Sequence, residues 1–362
     1  MTSGESQVSV ATPRVDAVVL AGTHQDKRRL INGMNKAFLP LGDSLSLHFI
    51  LEALRQSDRV DRVFVVGPSQ DLQQHFPADQ HGYRLVSEKG RMLDNAFEAY
   101  RTAEASALPN YHASTSTDRL YLFLTSDIPL TVPEAIADFV DRSAILEQRL
   151  GERIDFFAGV ADEVALAPFY PHARRRGIFR PYMELKHQRL RLANIYLTRP
   201  ARIRNLEVLQ QGFAARKLTQ WRSVAQLITT FLGNPAGLRG AAHVAWFQAA
   251  SVFDKTGLRS LSKLARNRLD RGLIEQTASR MLGCRFAALV TPYGGLSLDI
   301  DEVSDYEIIK ENLVAWREHQ KALLPSFPEE EQPAAMPVSL QVERPLPPSS
   351  PPGPSRSRKP VS

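Results

Sequence analysis

The apolar run Asp16–Leu20 constrains the fold most, because it stops at Gly22 and a polar, basic loop follows it. Its shortness and its valines are typical of a strand buried on both faces, as in a parallel sheet. Backbone N–H groups beside Gly22 have no side chain in the way, so a phosphate can approach them closely. Lys36, where the loop returns to the fold, would add a positive charge for that phosphate. An ordinary strand-to-loop turn with surface lysines is the alternative interpretation.

Strand and helix patterns alternate after this run. Apolar residues at the i, i+3, i+4 and i+7 positions of residues 47–54 predict an amphipathic helix. Alternation of this kind implies parallel crossovers. We therefore expect an α/β fold, with a three-layer α/β/α arrangement and a mostly parallel twisted sheet. Further strands are predicted at residues 62–67, 83–86, 119–124, 155–160, 182–186, 190–197, 286–290 and 296–300.

Changes in composition divide the chain into five parts. Residues 1–14 are predicted to be a disordered lead, and 15–212 an α/β domain. A continuous 3.6-residue period indicates a helical insertion subdomain at 213–283. The chain then returns to the α/β domain and a closing helix at 284–324. The Pro-rich residues 325–362 are predicted to be disordered.

The composition excludes several classes of protein. The single cysteine, Cys284, rules out an intramolecular disulfide framework and suits a reducing compartment. No apolar run reaches the roughly 18–20 residues of a membrane span, and the N-terminus has no signal-peptide pattern. A formal charge of +6 is small for 362 residues, so we expect no nucleic-acid partner. We expect a cytoplasmic protein without a transmembrane segment.

Asp127 follows the most apolar strand pattern of the chain, residues 119–124. Open α/β sheets bind ligands at the carboxyl ends of their strands, and Mg²⁺ prefers one or two carboxylates together with phosphates. Asp127 is therefore a candidate magnesium ligand. The alternative is an N-cap for the next helix, but Thr131 and Glu134 form a predicted capping box there.

Asp299 and Asp301 flank Ile300 at the end of the predicted strand 296–300. Alternation along a strand would place both carboxylates on one face, where they repel each other unless a cation lies between them. We interpret them as further metal ligands. Ser304 and Glu307 are predicted to cap the helix that follows.

These motifs together resemble the nucleotidyltransferase superfamily, and within it the MobA-like NTP transferases. The resemblance covers roughly residues 15–200 and 285–310. Two positions depart from the family pattern, because Thr23 stands where a second glycine is usual and because Arg28 or Arg29 replaces the arginine of a Gly-rich loop. The motifs that carry the resemblance are Leu20-Ala21-Gly22 with Lys36, the segment Leu124–Leu130, and Leu298–Asp301 with Asp305-Tyr306.

The resemblance implies a GT-A-like, nucleotide-diphospho-sugar-transferase-like fold and a role for each motif. Leu20, Ala21, Gly22 and Thr23 would hold the nucleotide phosphates. Lys36, Arg28 and Arg29 would be catalytic, and Asp127, Asp299 and Asp301 would bind Mg²⁺. Gly90, Arg91 and Asn95 would read base and ribose. Asn194 is either a contact for the acceptor or ribose hydroxyls or a core amide satisfied by the backbone.

The expected reaction is Mg²⁺-dependent transfer of an NMP group from an NTP to a phosphorylated small-molecule or lipid-linked acceptor, with release of pyrophosphate. The basic cluster Arg174–Arg176 with Arg180 is a candidate site for the acceptor phosphate, or a solvated basic loop. Basic residues of the helical insertion, Lys255–Arg271, suggest contact with a membrane surface or a protein. A GT-A glycosyltransferase and a non-catalytic nucleotide-binding relative remain alternatives. A Rossmann dinucleotide site is not supported, because G-x-G-x-x-G is missing after the first strand.

Overall fold

The structure is a computed structural model that describes residues 13–22, 30–106, 118–172, 175–209 and 270–323. The predictions for Thr23, for Arg28 and Arg29, and for the Pro-rich tail lie outside these residues. Most of the predicted helical insertion, with its proposed membrane or protein contact, also lies outside them. The domain boundaries stay a prediction.

Ten strands and eight complete α-helices lie within the described residues, and a further helical segment begins at residue 206. The strands are β1 (Val15–Leu20), β2 (Pro40–Leu41), β3 (Ser44–Leu45), β4 (Val60–Gly67), β5 (Arg84–Ser87), β6 (Tyr121–Thr125), β7 (Phe156–Asp162), β8 (Met183–Glu184), β9 (Arg189–Thr198) and β10 (Phe286–Val290). The helices are α1 (Ser46–Gln56), α2 (Ser69–His75), α3 (Ala78–His81), α4 (Met92–Ala105), α5 (Pro133–Leu150), α6 (Glu163–Leu166), α7 (Arg271–Leu282) and α8 (Val303–Lys321).

The central sheet has the strand order β10-β7-β9-β6-β1-β4-β5, and β8 pairs with β9 outside this path. The pairs β1–β4, β1–β6, β4–β5 and β7–β10 are parallel. Strand β9 runs antiparallel to both of its neighbours, β6 and β7. The sheet is therefore mostly parallel, and the predicted fold class is confirmed.

Alternating side chains bury both faces of this sheet. On one face, Leu122 and Leu124 of β6 pack in the core that α1 and α5 share. On the other, Tyr121 and Phe123 pack with the alanines of α4. Because residues of one strand alternate between the faces, a run that is apolar throughout marks a strand covered on both sides. Helices on both faces give the predicted three layers.

The predicted strand at 296–300 is wrong. Residues Gly294–Ser297 form a 3₁₀ turn, and the segment after it has no regular secondary structure. The cause is close packing of the backbone. A Cβ on Gly294 would lie 2.1 Å from the carbonyl oxygen of Ala165, and the backbone N–H of Gly295 donates to the Gln320 side chain at 2.9 Å. A strand would carry the glycines away from these contacts.

Both predicted capping boxes are also wrong. Helix α8 is capped by Glu302 together with Asp305, rather than by Ser304 and Glu307. Helix α5 begins at Pro133 after Val132, and the Thr131 hydroxyl donates to the carbonyl of Ile128 at 2.8 Å. At α5 a local hydrogen bond engages the predicted cap, and at α8 the box forms two residues earlier than predicted.

Among the described residues, no helix combines the length and the apolar character that crossing a membrane requires.

A buried ion-pair cluster closes the sheet at the amino ends of its strands. Asp16 of β1 is fully buried and contacts Arg62 at 2.6 Å and Arg119 at 2.5 Å. Removing one partner of a buried pair leaves the opposite charge without compensation, which is more costly than losing an exposed pair.

We predict that Asp16→Ala lowers the free energy of unfolding by about 3 kcal/mol in urea titrations. Asp61→Ala is the matched control, because Asp61 and Arg14 form a 3.4 Å pair with both side chains at least 36% exposed. The control should change the free energy of unfolding by less than about 1 kcal/mol. Equal losses in the two variants would contradict the assignment.

Candidate functional site

Three aspartates converge at the carboxyl end of β6. Asp127, Asp299 and Asp301 each offer a carboxylate oxygen, and these oxygens lie within 4.8 Å of one another. The backbone N–H of Ile300 donates to the carbonyl oxygen of Asp127 at 2.9 Å, which ties the two acidic segments together. Asp299 is buried and Asp301 is exposed. The structure thus brings the predicted acids together although their segment is not a strand.

Lys36 lies within this acidic cluster. Its Nζ is 3.1 Å from Asp127 Oδ2 and 3.2 Å from Asp301 Oδ1. The lysine is held at the start of a short 3₁₀ turn, where the Asn35 side chain accepts from the N–H of Ala37. The amide of Asn35 also donates to the carbonyl of Ala21 at 2.9 Å. Asn35 therefore links the lysine to the end of β1, and our sequence reasoning missed it, although it directly precedes Lys36.

The pKa values of this cluster reflect burial and charge. Burial by itself would lower the pKa of Lys36, but the carboxylates of Asp127, Asp301 and Asp299 outweigh it and raise the pKa above its ordinary value. Burial, and then repulsion by Asp127 and Asp301, raises the pKa of Asp299 to about 6. The ammonium group thus stabilises Asp127 and Asp301, whereas Arg191 and Arg180 counteract the raised pKa of Asp299.

Arg180 fixes the backbone of the acidic segment. Its Nη2 donates to the carbonyl of Asp299 and to Asp305 Oδ2, both at 2.7 Å. The same Asp305 oxygen accepts from the backbone N–H groups of Asp301 and Glu302 at 3.0 Å. Through Asp305, the guanidinium therefore holds the chain on both sides of Ile300.

Arg191 of β9 supports the same segment. Its Nε donates to the carbonyl of Ser297 at 3.0 Å, and its Nη2 lies 3.6 Å from Asp299 Oδ1. Sequence reasoning missed Arg191 and Asp305 as supports. Only the fold brings β9 to a segment about a hundred residues later in the chain, so no local signal marks this contact.

The predicted arginine cluster does not form one site. Arg180 is engaged with the acidic segment, whereas the exposed Arg176 pairs with Glu311 at 2.7 Å. Arg175 donates to the carbonyl of Pro168, and Arg174 lies outside the described residues. Asp305 and the carbonyl of Asp299 both contact Nη2 of Arg180, and the acceptor-phosphate role of the cluster stays a prediction.

Gly22 and Asn95 meet beside the end of β1. A Cβ on Gly22 would lie 2.7 Å from Glu88 Oε2 and 2.8 Å from Asn95 Nδ2, so only glycine fits without a shift of these side chains. Asn95 is buried and accepts from the backbone N–H groups of Lys89 at 2.6 Å and Gly90 at 3.3 Å. Gly90 has φ +140°, a region that favours glycine. Asn95 thus fixes the turn from Glu88 to Gly90, next to the exposed Arg91.

Asn194, another predicted site residue, belongs to strand β9. It is buried in β9 and lines a cavity on the α4 face of the sheet, together with Leu20 and Thr125. The acidic cluster does not include it. Both interpretations of this amide, a ligand contact and a core asparagine, stay open.

The donor set fits a hard divalent cation. Carboxylate oxygens are the ligands that Mg²⁺ prefers. Asp127 Oδ1 is buried and has no hydrogen-bond partner among the described residues, which leaves one oxygen for a ligand. Asp299 and Asp301 add negative charge that Lys36 compensates only in part. The residues present could therefore hold Mg²⁺.

The fold and this site define a nucleotidyltransferase-type α/β protein, with a glycine turn, a lysine and acids at the carboxyl edge of a mostly parallel sheet. The sequence model of the MobA-like NTP transferase domain matches residues 17–197. The chain belongs to this family and is a nucleotidyltransferase, so the resemblance is confirmed. The matched residues end before Asp299 and Asp301.

Three solved structures are similar to this chain. A hypothetical transferase from Thermus thermophilus is 21% identical with a TM-score of 0.52, and the match covers 81% of this chain and 99% of that one. A cytidylyltransferase from Leptospira borgpetersenii is 14% identical with a TM-score of 0.41, covering 84% and 87%. A 4-diphosphocytidyl-2C-methyl-D-erythritol synthase from Anaerococcus prevotii is 9% identical with a TM-score of 0.38, covering 84% and 100%. No curated protein sequence matches the chain.

We predict that Lys36→Met lowers the free energy of unfolding by about 3 kcal/mol, because the carboxylates around it lose their countercharge. Chemical denaturation at low ionic strength and neutral pH measures this loss. Lys310→Met is the control, since Lys310 is exposed and its Nζ lies over the ring of Tyr306. A variant at position 36 as stable as this control would show that the lysine does not stabilise the acids.

Proposed function

We propose that this protein transfers an NMP group from an NTP to a phosphorylated acceptor, with Mg²⁺ as cofactor and pyrophosphate as the second product. One observation carries the proposal: Lys36 and three carboxylates converge at the carboxyl end of β6. That end lies beside the end of β1, because Leu20 pairs with Thr125. Phosphate-binding backbone and metal-binding acids are thereby neighbours.

Asp127, Asp299 and Asp301 would hold the ion in this proposal. Bound Mg²⁺ would neutralise negative charge on the triphosphate oxygens. The backbone of Leu20, Ala21, Gly22 and Thr23 would contact the phosphates. Arg28 and Arg29, from the loop after Gly22, would add positive charge to the same phosphates.

Lys36 would exchange partners during the reaction. Its ammonium now neutralises Asp127 and Asp301. With the three carboxylates holding Mg²⁺, the ammonium would contact a phosphate oxygen. The lysine would thus serve as countercharge before substrate binds and as a phosphate ligand afterwards.

Gly90, Arg91 and Asn95 would read the base and ribose. Asn95 supports this role by holding the turn before α4, so its backbone groups stay at fixed positions. A rigid turn can present hydrogen bonds to a base without paying the entropy of ordering it on binding. The base itself is an outcome of the assay below.

The reaction needs no covalent enzyme intermediate. An oxygen of the acceptor phosphate would attack the α-phosphorus of the NTP, forming a new P–O bond. The bond between the α-phosphorus and the bridging oxygen would break, and pyrophosphate would leave with the electron pair. Positioning and charge neutralisation by the residues above would supply the rate enhancement.

We predict that Asp127→Asn lowers pyrophosphate release by at least about a hundredfold while the melting temperature stays near that of the parent. The assay screens four NTPs against phosphorylated acceptors and identifies every product. Asp141→Asn is the control, because Asp141 pairs with Arg59 at 2.8 Å outside the acidic cluster. Retained turnover in the position-127 variant would reject the metal assignment. Release of a nucleoside diphosphate from a nucleotide sugar would instead indicate a glycosyltransferase.

We predict that Asp305→Asn weakens Mn²⁺ binding about tenfold, because the acidic segment loses the carboxylate that holds its backbone N–H groups and pairs with Arg180. Mn²⁺ serves as a probe for Mg²⁺, since both prefer oxygen ligands, and electron paramagnetic resonance counts the free ion. Glu311→Gln is the control on the same helix, because it also removes the charge of an arginine partner, Arg176. Equal Mn²⁺ affinities in the two variants would argue against this positioning role.

A further inference from the structure

A cavity lies between the central sheet and α4, on the face of the sheet opposite to α1 and α5. It contains about 640 Å³ of space without protein atoms, part of it open to solvent. A ligand can therefore enter it from solvent.

The walls of this cavity are mostly apolar, with Asn194, Thr125 and Thr198 as polar exceptions. Leu93, Ala96 and Phe97 form one wall, since residues three and four apart share a face of α4. Phe123 of β6 and Tyr196 of β9 form the floor, because alternation along both strands turns their side chains to this face. A surface of this kind favours hydrocarbon over hydroxylated ligands, since buried hydroxyls would lack partners.

Polar groups lie where the cavity meets the ends of the strands. Thr125 is the last residue of β6, and its Oγ1 is buried without a hydrogen-bond partner among the described residues. Asp127 follows it by two residues along the chain. Leu20 is the last residue of β1 and precedes Gly22 by two. The cavity therefore begins beside the proposed phosphate and metal site.

We propose that this cavity binds the hydrocarbon part of a phosphorylated acceptor. The phosphate would lie at the ends of β1 and β6, and the hydrocarbon would lie beneath α4. The inference rests on the proposed function, which requires an acceptor phosphate at that edge. A sugar phosphate would bury hydroxyl groups against Leu93, Phe97 and Phe123 without enough donors and acceptors to pair them. An alkyl phosphate matches both the apolar walls and the polar groups at the strand ends.

Straight-chain alkyl phosphates from ethyl to octyl are the probes, titrated calorimetrically into the full chain without NTP. Each buried methylene should tighten binding about fourfold until the cavity is filled. Ribose 5-phosphate should bind no more tightly than ethyl phosphate. Affinity that does not depend on chain length would overturn the proposal, and so would ribose 5-phosphate binding more tightly than hexyl phosphate.

Ala96→Trp fills the cavity from α4 and should abolish the dependence on chain length. Arg101→Trp is the matched control, because it places the same ring on the exposed side of the same helix, where the arginine side chain is 65% exposed. Leu93→Gln is a second test that adds an amide without added bulk, in case the first variant does not fold. A folded Ala96→Trp or Leu93→Gln variant whose affinity still depends on alkyl-chain length as in the parent would show that the alkyl chain binds elsewhere.

Pyrophosphate assays separate this inference from the proposed function. Turnover with ribose 5-phosphate but not with octyl phosphate would reject the hydrocarbon acceptor and keep nucleotidyl transfer. Cavity-dependent binding of alkyl phosphates without pyrophosphate release from any NTP would reject nucleotidyl transfer and leave the ligand class of the cavity supported.

Discussion

The carboxylates of Asp127, Asp299 and Asp301 lie close together and repel one another. The ammonium group of Lys36 lies among them and reduces this repulsion. Burial, and then repulsion by Asp127 and Asp301, raises the pKa of the most buried member, Asp299, to about 6, which means that its ionised form costs folding energy. Lys36 offsets part of this cost through contacts of 3.1 and 3.2 Å to Asp127 and Asp301. Clusters of this kind are concentrated where a protein needs charge for chemistry.

The fold keeps these charges together through three connections of different origin. Pairing of Leu20 with Thr125 sets the end of β1 beside the end of β6. Asn35 then ties the first loop to β1 through the carbonyl of Ala21. Arg180 and Asp305 hold the late segment by its backbone, so the acids are fixed by hydrogen bonds and not by strand geometry. Strand ends bring the groups near, and side-chain contacts set their positions.

The same edge of the sheet joins two environments. The acidic cluster and glycine turn suit phosphates and a cation, whereas the cavity beneath α4 suits hydrocarbon. Only Ser126 separates them along the chain, since Thr125 belongs to the cavity and Asp127 to the acidic cluster. A phosphorylated ligand with an apolar chain would use both, and binding energy from the chain could position its phosphate for attack.

The sequence by itself determined the strands of the sheet and the types of residue at their ends. A strand that is buried on both faces is an apolar run, and such a run can be recognised from the sequence alone. It also marked Gly22, Lys36, Asp127 and Asp301, whose residue types suggest their chemistry. Tertiary structure decided the rest. Residues 296–300 are not a strand because the glycine backbone packs against α6 and α8. Arg180 holds the acidic segment because the fold brings Asp305 to it. The periodicity of a segment indicates which of its faces is buried, but it does not indicate which distant side chain packs against that face.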